Sequence, residues 1–149
     1  MAPMYNVVVV GTDGSDSSML AVSRAAGIAA VVGAELVLAS AYIGDSANKA
    51  DKAAMQGRSA TLDGEQAASS VLAAAEDFAR EKGAERVRTV LREGTPVEAL
   101  MDVVTSENAD LLVVGNRGIN SLTGRLLGSV PADVARQAHC DVMIVHTVD

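Results

Sequence analysis

Residues 110–131 read DLLVVGNRGINSLTGRLLGSVP, and the order of residue types in them decides the fold. Leu111 to Val114 is an apolar run of strand length, Gly115, Gly118 and Gly128 punctuate the loop that follows, and Ser129 with Val130 opens a helix. Together they outline a cradle for an anion: glycines let the backbone come close to a ligand, and the first amides of the helix point outward at it. The loop is not a Walker A loop, which needs Lys and then Ser or Thr directly after the last glycine, because Gly128 is followed by Ser129 and Val130. Its spacing does not fit the dinucleotide fingerprint either. The plainer alternative is an ordinary strand-to-helix connection whose glycines only make turns.

Upstream of this stretch, Thr95, Pro96 and Glu98 form a capping box with proline in the first turn. Val97, Leu100, Met101 and Val104 then recur at helical spacing. Arg86 to Arg92 alternates Val87, Thr89 and Leu91 with Arg86, Arg88, Val90 and Arg92, which predicts an edge strand with one solvated face. Its three arginines read better as devices for solubility and against stray pairing than as an anion patch. A helix over Glu65 to Glu81 presents Leu72, Ala75 and Ala79 and stops at Gly83.

Residues 44–64 change character, with Asp, Lys, Asn, Ser, Gln and Gly among short apolar pieces. They read as a mobile excursion with a short helix around Asn48 to Met55, serving either as a binding loop or as surface padding. Leu36 to Ala41 makes the second strand. At the start of the chain, Val7 to Val10 is a β-branched run of the kind buried on both faces, and it leads into GTDGSDSS, which puts Thr12 and Asp13 at a strand tip. Ser15, Asp16 or Ser17 can cap the next helix, whose Ala21, Ala25, Ile28 and Val32 repeat until Gly33. Downstream, a helix over Val130 to Ala138 precedes a last strand, Val142 to His146. The alternation βαβαβαβαβ defines a single α/β domain over 1–149, a doubly wound parallel sheet of five strands with four helices.

The composition narrows the function. Hydrophobic residues make up 49% of the 149 but aromatic ones only 2%, so the core must be Val, Leu, Ile and Ala, and rings for stacking bases are lacking. A formal charge of −7 opposes nucleic acid and anionic membranes as partners. Cys140 is the lone cysteine and reads as a small buried hydrophobe; its isolation, with no signal peptide in MAPMYN and no run of membrane-spanning length, predicts a reduced cytoplasmic setting. Phosphoryl transfer needs a cation on the transferred group, yet Lys49, Lys52 and Lys82 lie in neither tip. His139 and His146 flank the last strand and are placed away from the tips. No catalytic residue and no metal site are expected.

The pattern Gly115, two residues, Gly118, nine residues, Gly128, Ser129 resembles the nucleotide-binding signature of the universal stress protein family. The resemblance covers essentially the whole chain, and the GTDGSDSS and GRLLGSVP segments are similar to actinobacterial members, some of which bind cyclic AMP. It implies a sheet order of 3-2-1-4-5, with helices on both faces, so that the order reverses between the first and fourth strands and the two polar tips share one crevice. It also implies an adenine nucleotide there. By position, Thr12 and Asp13 lie against adenine and ribose, Ala41 flanks the adenine, Gly115 and Gly118 bring amides to ribose and phosphates, and Gly128, Ser129 and Val130 donate to the phosphates. Gly11, Asn116, Arg117 and Arg125 are additional contacts. The lesser alternative for Asp13 is an Asx turn that merely caps the first helix.

The ligand so implied is ATP, carried with Mg. Cyclic AMP is the alternative, since one charge asks less of a chain at −7. The resemblance also implies a stress-response regulator with at most slow hydrolysis, and a homodimer through antiparallel pairing of residues 142–146. Two other readings are weaker. An adenylating pyrophosphatase-type enzyme would want a serine-glycine-glycine loop and a substrate domain, and a pure interaction module would not need the glycine and serine set.

Overall fold

The structure, a computed structural model, describes residues 4–43, 64–116 and 130–147. Five strands and four helices alternate: β1 (Val7–Gly11), α1 (Asp16–Val32), β2 (Glu35–Tyr42), α2 (Gly64–Glu81), β3 (Val87–Glu93), α3 (Pro96–Ser106), β4 (Leu111–Gly115), α4 (Val130–Gln137) and β5 (Asp141–Val145). The strands form one sheet in the order β3-β2-β1-β4-β5, and every pairing is parallel. This is the expected doubly wound architecture. The excursion expected over 44–64, with its short helix at Asn48 to Met55, lies outside the described residues except for Gly64, which begins α2.

The unbroken apolar runs of β1, β2 and β4 are explained by a sheet covered on both faces, where successive side chains enter opposite cores. Val8, Val10, Leu36, Leu38, Leu111 and Val113 meet α1 and α2, while Val9, Val37, Leu112 and Val114 meet α3 and α4. Helix α1 faces the sheet with Ala21, Ala25, Ala26 and Ala29, all buried, so its backbone packs close to the strands. Ser15 is its N-cap and accepts from the Ser18 amide; Gly33 ends it in the left-handed conformation at φ 75°.

Strand β3 lies at the edge as expected, and its second face is solvated at Arg88 and Arg92 but not at Val90. Val90 is buried against α3 beside Leu100 and Val103, because that helix crosses over the outer strand. The arginines of β3 are used locally. Arg88 pairs with Glu35 at 2.8 Å and also with Glu107, Arg92 pairs with Asp102 at 2.7 Å, and Arg86 donates to the Gly33 carbonyl. They tie the edge strand to its neighbours.

The amino edge of the sheet is closed by two carboxylates. Asp110, just before β4, accepts from the amides of Asn6 at 2.9 Å and Val7 at 3.0 Å, and Tyr5 donates its hydroxyl to Asp141 at 2.9 Å. The first strand is thereby tied to the starts of β4 and β5.

The capping box of α3 forms as the sequence indicates. Thr95 accepts from the Glu98 amide, and the Glu98 carboxylate takes the Thr95 amide at 3.1 Å. Thr95→Ala should cost about 1 kcal/mol of folding stability, measured as a lower urea midpoint. Its hydrogen bonds from Thr95 hold the Glu98 carboxyl below its ordinary 4.5, and the Arg88 guanidinium does the same for Glu35. Both groups therefore release protons more readily in the folded chain than in the unfolded one. Their contribution is whole above about pH 4.5 and lost as pH falls through the lowered values. Between pH 6 and pH 3.5 the urea midpoint should fall less in Glu98→Gln than in the unaltered chain.

Candidate functional site

The strand order reverses between β1 and β4, where ligands sit in sheets of this kind, beyond the carboxyl ends of the strands. The register pairs Val10 with Val113, so the tips of the two strands finish side by side. The structure brings together Gly11, Thr12, Asp13, Ala41, Gly115 and Asn116 at this edge. Gly118, Gly128, Ser129, Arg117 and Arg125 lie outside the described residues. Val130 begins α4 with its side chain buried in the core below α3.

The first tip is held from within. Thr12 is 1% exposed, and its hydroxyl shares a hydrogen bond with Ser18 at 2.8 Å and accepts from the Gly14 amide at 3.1 Å. Its amide donates to the Ala39 carbonyl at 2.9 Å, extending the β1–β2 ladder past the strand end. Asp13 is partly exposed, and its Oδ1 accepts from the Ser15 amide at 2.9 Å in an Asx turn. Gly14 turns at φ 85°, and a Cβ there would meet Val71 of α2 at 3.1 Å, so the loop is pressed against that helix.

The second tip carries Ser40, 4% exposed, whose hydroxyl donates to the Thr12 carbonyl at 2.7 Å. Ala41 follows it, partly exposed, opposite Arg92 of β3.

At the third tip, Gly115 is buried beneath a clasp made by the ends of two other elements. Ser17, in the first turn of α1, and Thr147, just past β5, share a short hydroxyl contact over it. Asn116 Oδ1 accepts from the Thr147 amide at 2.8 Å and its hydroxyl at 2.7 Å, while the Asn116 amide donates to Val145 at 2.7 Å.

Asn116 Nδ2 and His146 Nδ1 are 3.4 Å apart. The sequence reading placed both histidines away from the crevice. That holds for His139, at the amino end of β5, and fails for His146, because a parallel β5 finishes at the same edge as β4. Ser17, Ser18, Ser40 and Thr147 also escaped the sequence reading as site-forming residues; the serine-rich GTDGSDSS loop was the one local signal for the first two. Cys140 is half-buried as a packing residue, and burial pushes its thiol up from the ordinary value, against nucleophilic use.

Fold and crevice together define a doubly wound parallel α/β protein with a candidate ligand edge at the reversal of strand order, its tips braced by buried hydroxyls. The chain belongs to the universal stress protein family, which matches residues 4–146. A universal stress protein of Mycobacterium tuberculosis is 47% identical over 143 residues, 96% of this chain and 97% of that one. Another, from Methanocaldococcus jannaschii, is 31% identical over 95% of this chain and 82% of its own length. A crystal structure of a universal stress protein in complex with cAMP is 43% identical, covers 99% of this chain and 100% of that one, and has a TM-score of 0.74. Among the described residues, no helix is long and apolar enough to cross a membrane.

Proposed function

We propose that this chain binds an adenine nucleotide in the crevice between the tips of β1 and β4, and that it acts in the cytoplasm as a non-catalytic stress-response regulator. The observation that carries the reading is the conjunction of that crevice with a 43% identical relative crystallised with cAMP over the full length of both chains. The residues fit such a ligand. Asp13 places a partly exposed carboxylate where it can meet a ribose hydroxyl, and Ala41 adds a small apolar wall. Thr12 contributes through its place in the loop, since its hydroxyl is engaged internally.

Cyclic AMP is the better-supported ligand, because a single negative charge is the smaller burden for a chain at −7. ATP with Mg is the second reading, favoured by the Gly115, Gly118, Gly128 and Ser129 spacing. In that reading the divalent ion is carried on the ligand's own phosphates. Calorimetric titration of the nucleotide-stripped protein should give tighter binding of cyclic AMP than of Mg-ATP. The reverse order would favour the ATP reading, and heat from neither would overturn the proposal.

The proposal extends to a homodimer through β5. Among the described residues this strand pairs only with β4, and Met143 and Ile144 are 38% and 47% exposed along it, an apolar edge that antiparallel pairing with a second copy would cover. Ile144→Asp should convert a dimer to a monomer by light scattering at micromolar concentration. A monomeric unaltered chain would sink the dimer.

A further inference from the structure

We propose that Ser18 and Ser40 are positioning residues for the ligand crevice, acting together by pinning the peptide unit between Thr12 and Asp13 from both sides. The inference starts from where polar side chains are buried. Among the described residues only Thr12, Ser18 and Ser40 are buried polar side chains, at 1%, 2% and 4% exposure, and all three meet under the tip of β1. Elsewhere the buried side chains are apolar. Each of these hydroxyls bonds a backbone group of the tip, so removing one leaves a backbone donor or acceptor without that partner.

Ser18 Oγ donates to the Ser15 carbonyl at 3.1 Å and shares a hydrogen bond with Thr12 Oγ1 at 2.8 Å, and the Thr12 hydroxyl also faces Met19 Sδ at 3.7 Å. Ser18 Oγ also accepts from the Asp13 amide at 3.2 Å, and Thr12 Oγ1 accepts from the Gly14 amide at 3.1 Å. From the other side, Ser40 Oγ donates to the Thr12 carbonyl at 2.7 Å. The Thr12 carbonyl and the Asp13 amide belong to one peptide plane, so a hydroxyl from β2 holds its oxygen while a hydroxyl from α1 holds its nitrogen. That plane cannot flip without breaking both bonds. Its orientation fixes where Asp13 leaves the strand, and the Ser15 amide on Oδ1 then fixes the carboxylate.

For its ligand this inference rests on the nucleotide reading above, so the test carries one readout that needs no nucleotide. Ser18→Ala and Ser40→Ala are compared with the unaltered chain and with Thr95→Ala, a helix-cap variant that touches none of the three hydroxyls and is expected to lose about 1 kcal/mol. Each serine variant should lose about fivefold or more in cyclic AMP affinity, the equivalent of one net hydrogen bond, while Thr95→Ala binds as the unaltered chain does. In the ligand-free protein, amide hydrogen exchange at Asp13 and Gly14 should quicken about fivefold or more in Ser18→Ala and stay unchanged in Thr95→Ala. Serine variants that bind normally, or a Thr95→Ala variant that weakens binding equally, would overturn the proposal. If the unaltered chain takes up no cyclic AMP, the nucleotide reading fails by itself and the exchange rates decide: unchanged protection at Asp13 overturns the pinning.

Discussion

Gly115→Leu should lower folding stability by about 3 kcal/mol, the upper end for overpacking a core, and remove ligand binding with it. A Cβ at this position would lie 3.1 Å from Ser17 Oγ and 3.2 Å from Thr147 Cγ2. Neither neighbour is free to swing aside, since the two hydroxyls contact each other and Thr147 is bonded to Asn116. Gly115→Ala should cost about 1 kcal/mol, and combining it with Thr147→Ser, which deletes Cγ2, should recover part of the loss. Thermal unfolding of the four chains reads this directly, at roughly 3 °C per kcal/mol for a domain of this size. A Gly115→Leu chain as stable as the original would show that the clasp over β4 yields easily. The substitution is therefore a test of how the sheet edge is packed more than a plug for the crevice.

The second large effect is expected at Asp13. Asp13→Ala should weaken cyclic AMP binding by about 10- to 100-fold, the range for losing a hydrogen bond to a charged group. The fold should survive, because Ser15 remains to cap α1. Asp13→Asn separates the two roles of the side chain. It keeps an acceptor for the Ser15 amide, and so the Asx turn, but gives up the negative charge toward a ribose hydroxyl. Intermediate binding by Asp13→Asn is the expected result in the same titration. Binding equal to that of the unaltered chain would reduce Asp13 to a turn residue.

The sequence carried the fold well because its signals were local. Valine runs too apolar for a one-faced strand, the Thr95–Pro96–Glu98 start and the stop at Gly33 each depend on neighbours within a turn or two. The order of the sheet followed from the family resemblance, and the tips of β1 and β4 could be named as partners before their geometry was known. What stayed hidden depends on contacts distant in sequence. Ser40 reaches Thr12 across 28 positions and Thr147 reaches Ser17 across 130, and nothing beside either residue announces it. Thr12 shows the same limit from the other side: a hydroxyl at a strand tip reads alike whether it faces a ligand or, as here, the loop's own amides. Val90 was misjudged because alternation along β3 cannot reveal that α3 extends over the outermost strand.

The amino edge of the sheet, with Asp110 bound to the amides of Asn6 and Val7 and Tyr5 bound to Asp141, lies a full strand length from the ligand edge. The two ends of each strand can therefore be altered separately. Residues at the Asp110 end can drift or be engineered for heat resistance, by better packing or further ion pairs, without moving the tips, whereas the hydroxyl-rich end has little such latitude. Thermostable variants of this protein with undiminished ligand response should accordingly collect their substitutions around Tyr5, Asp110 and Asp141.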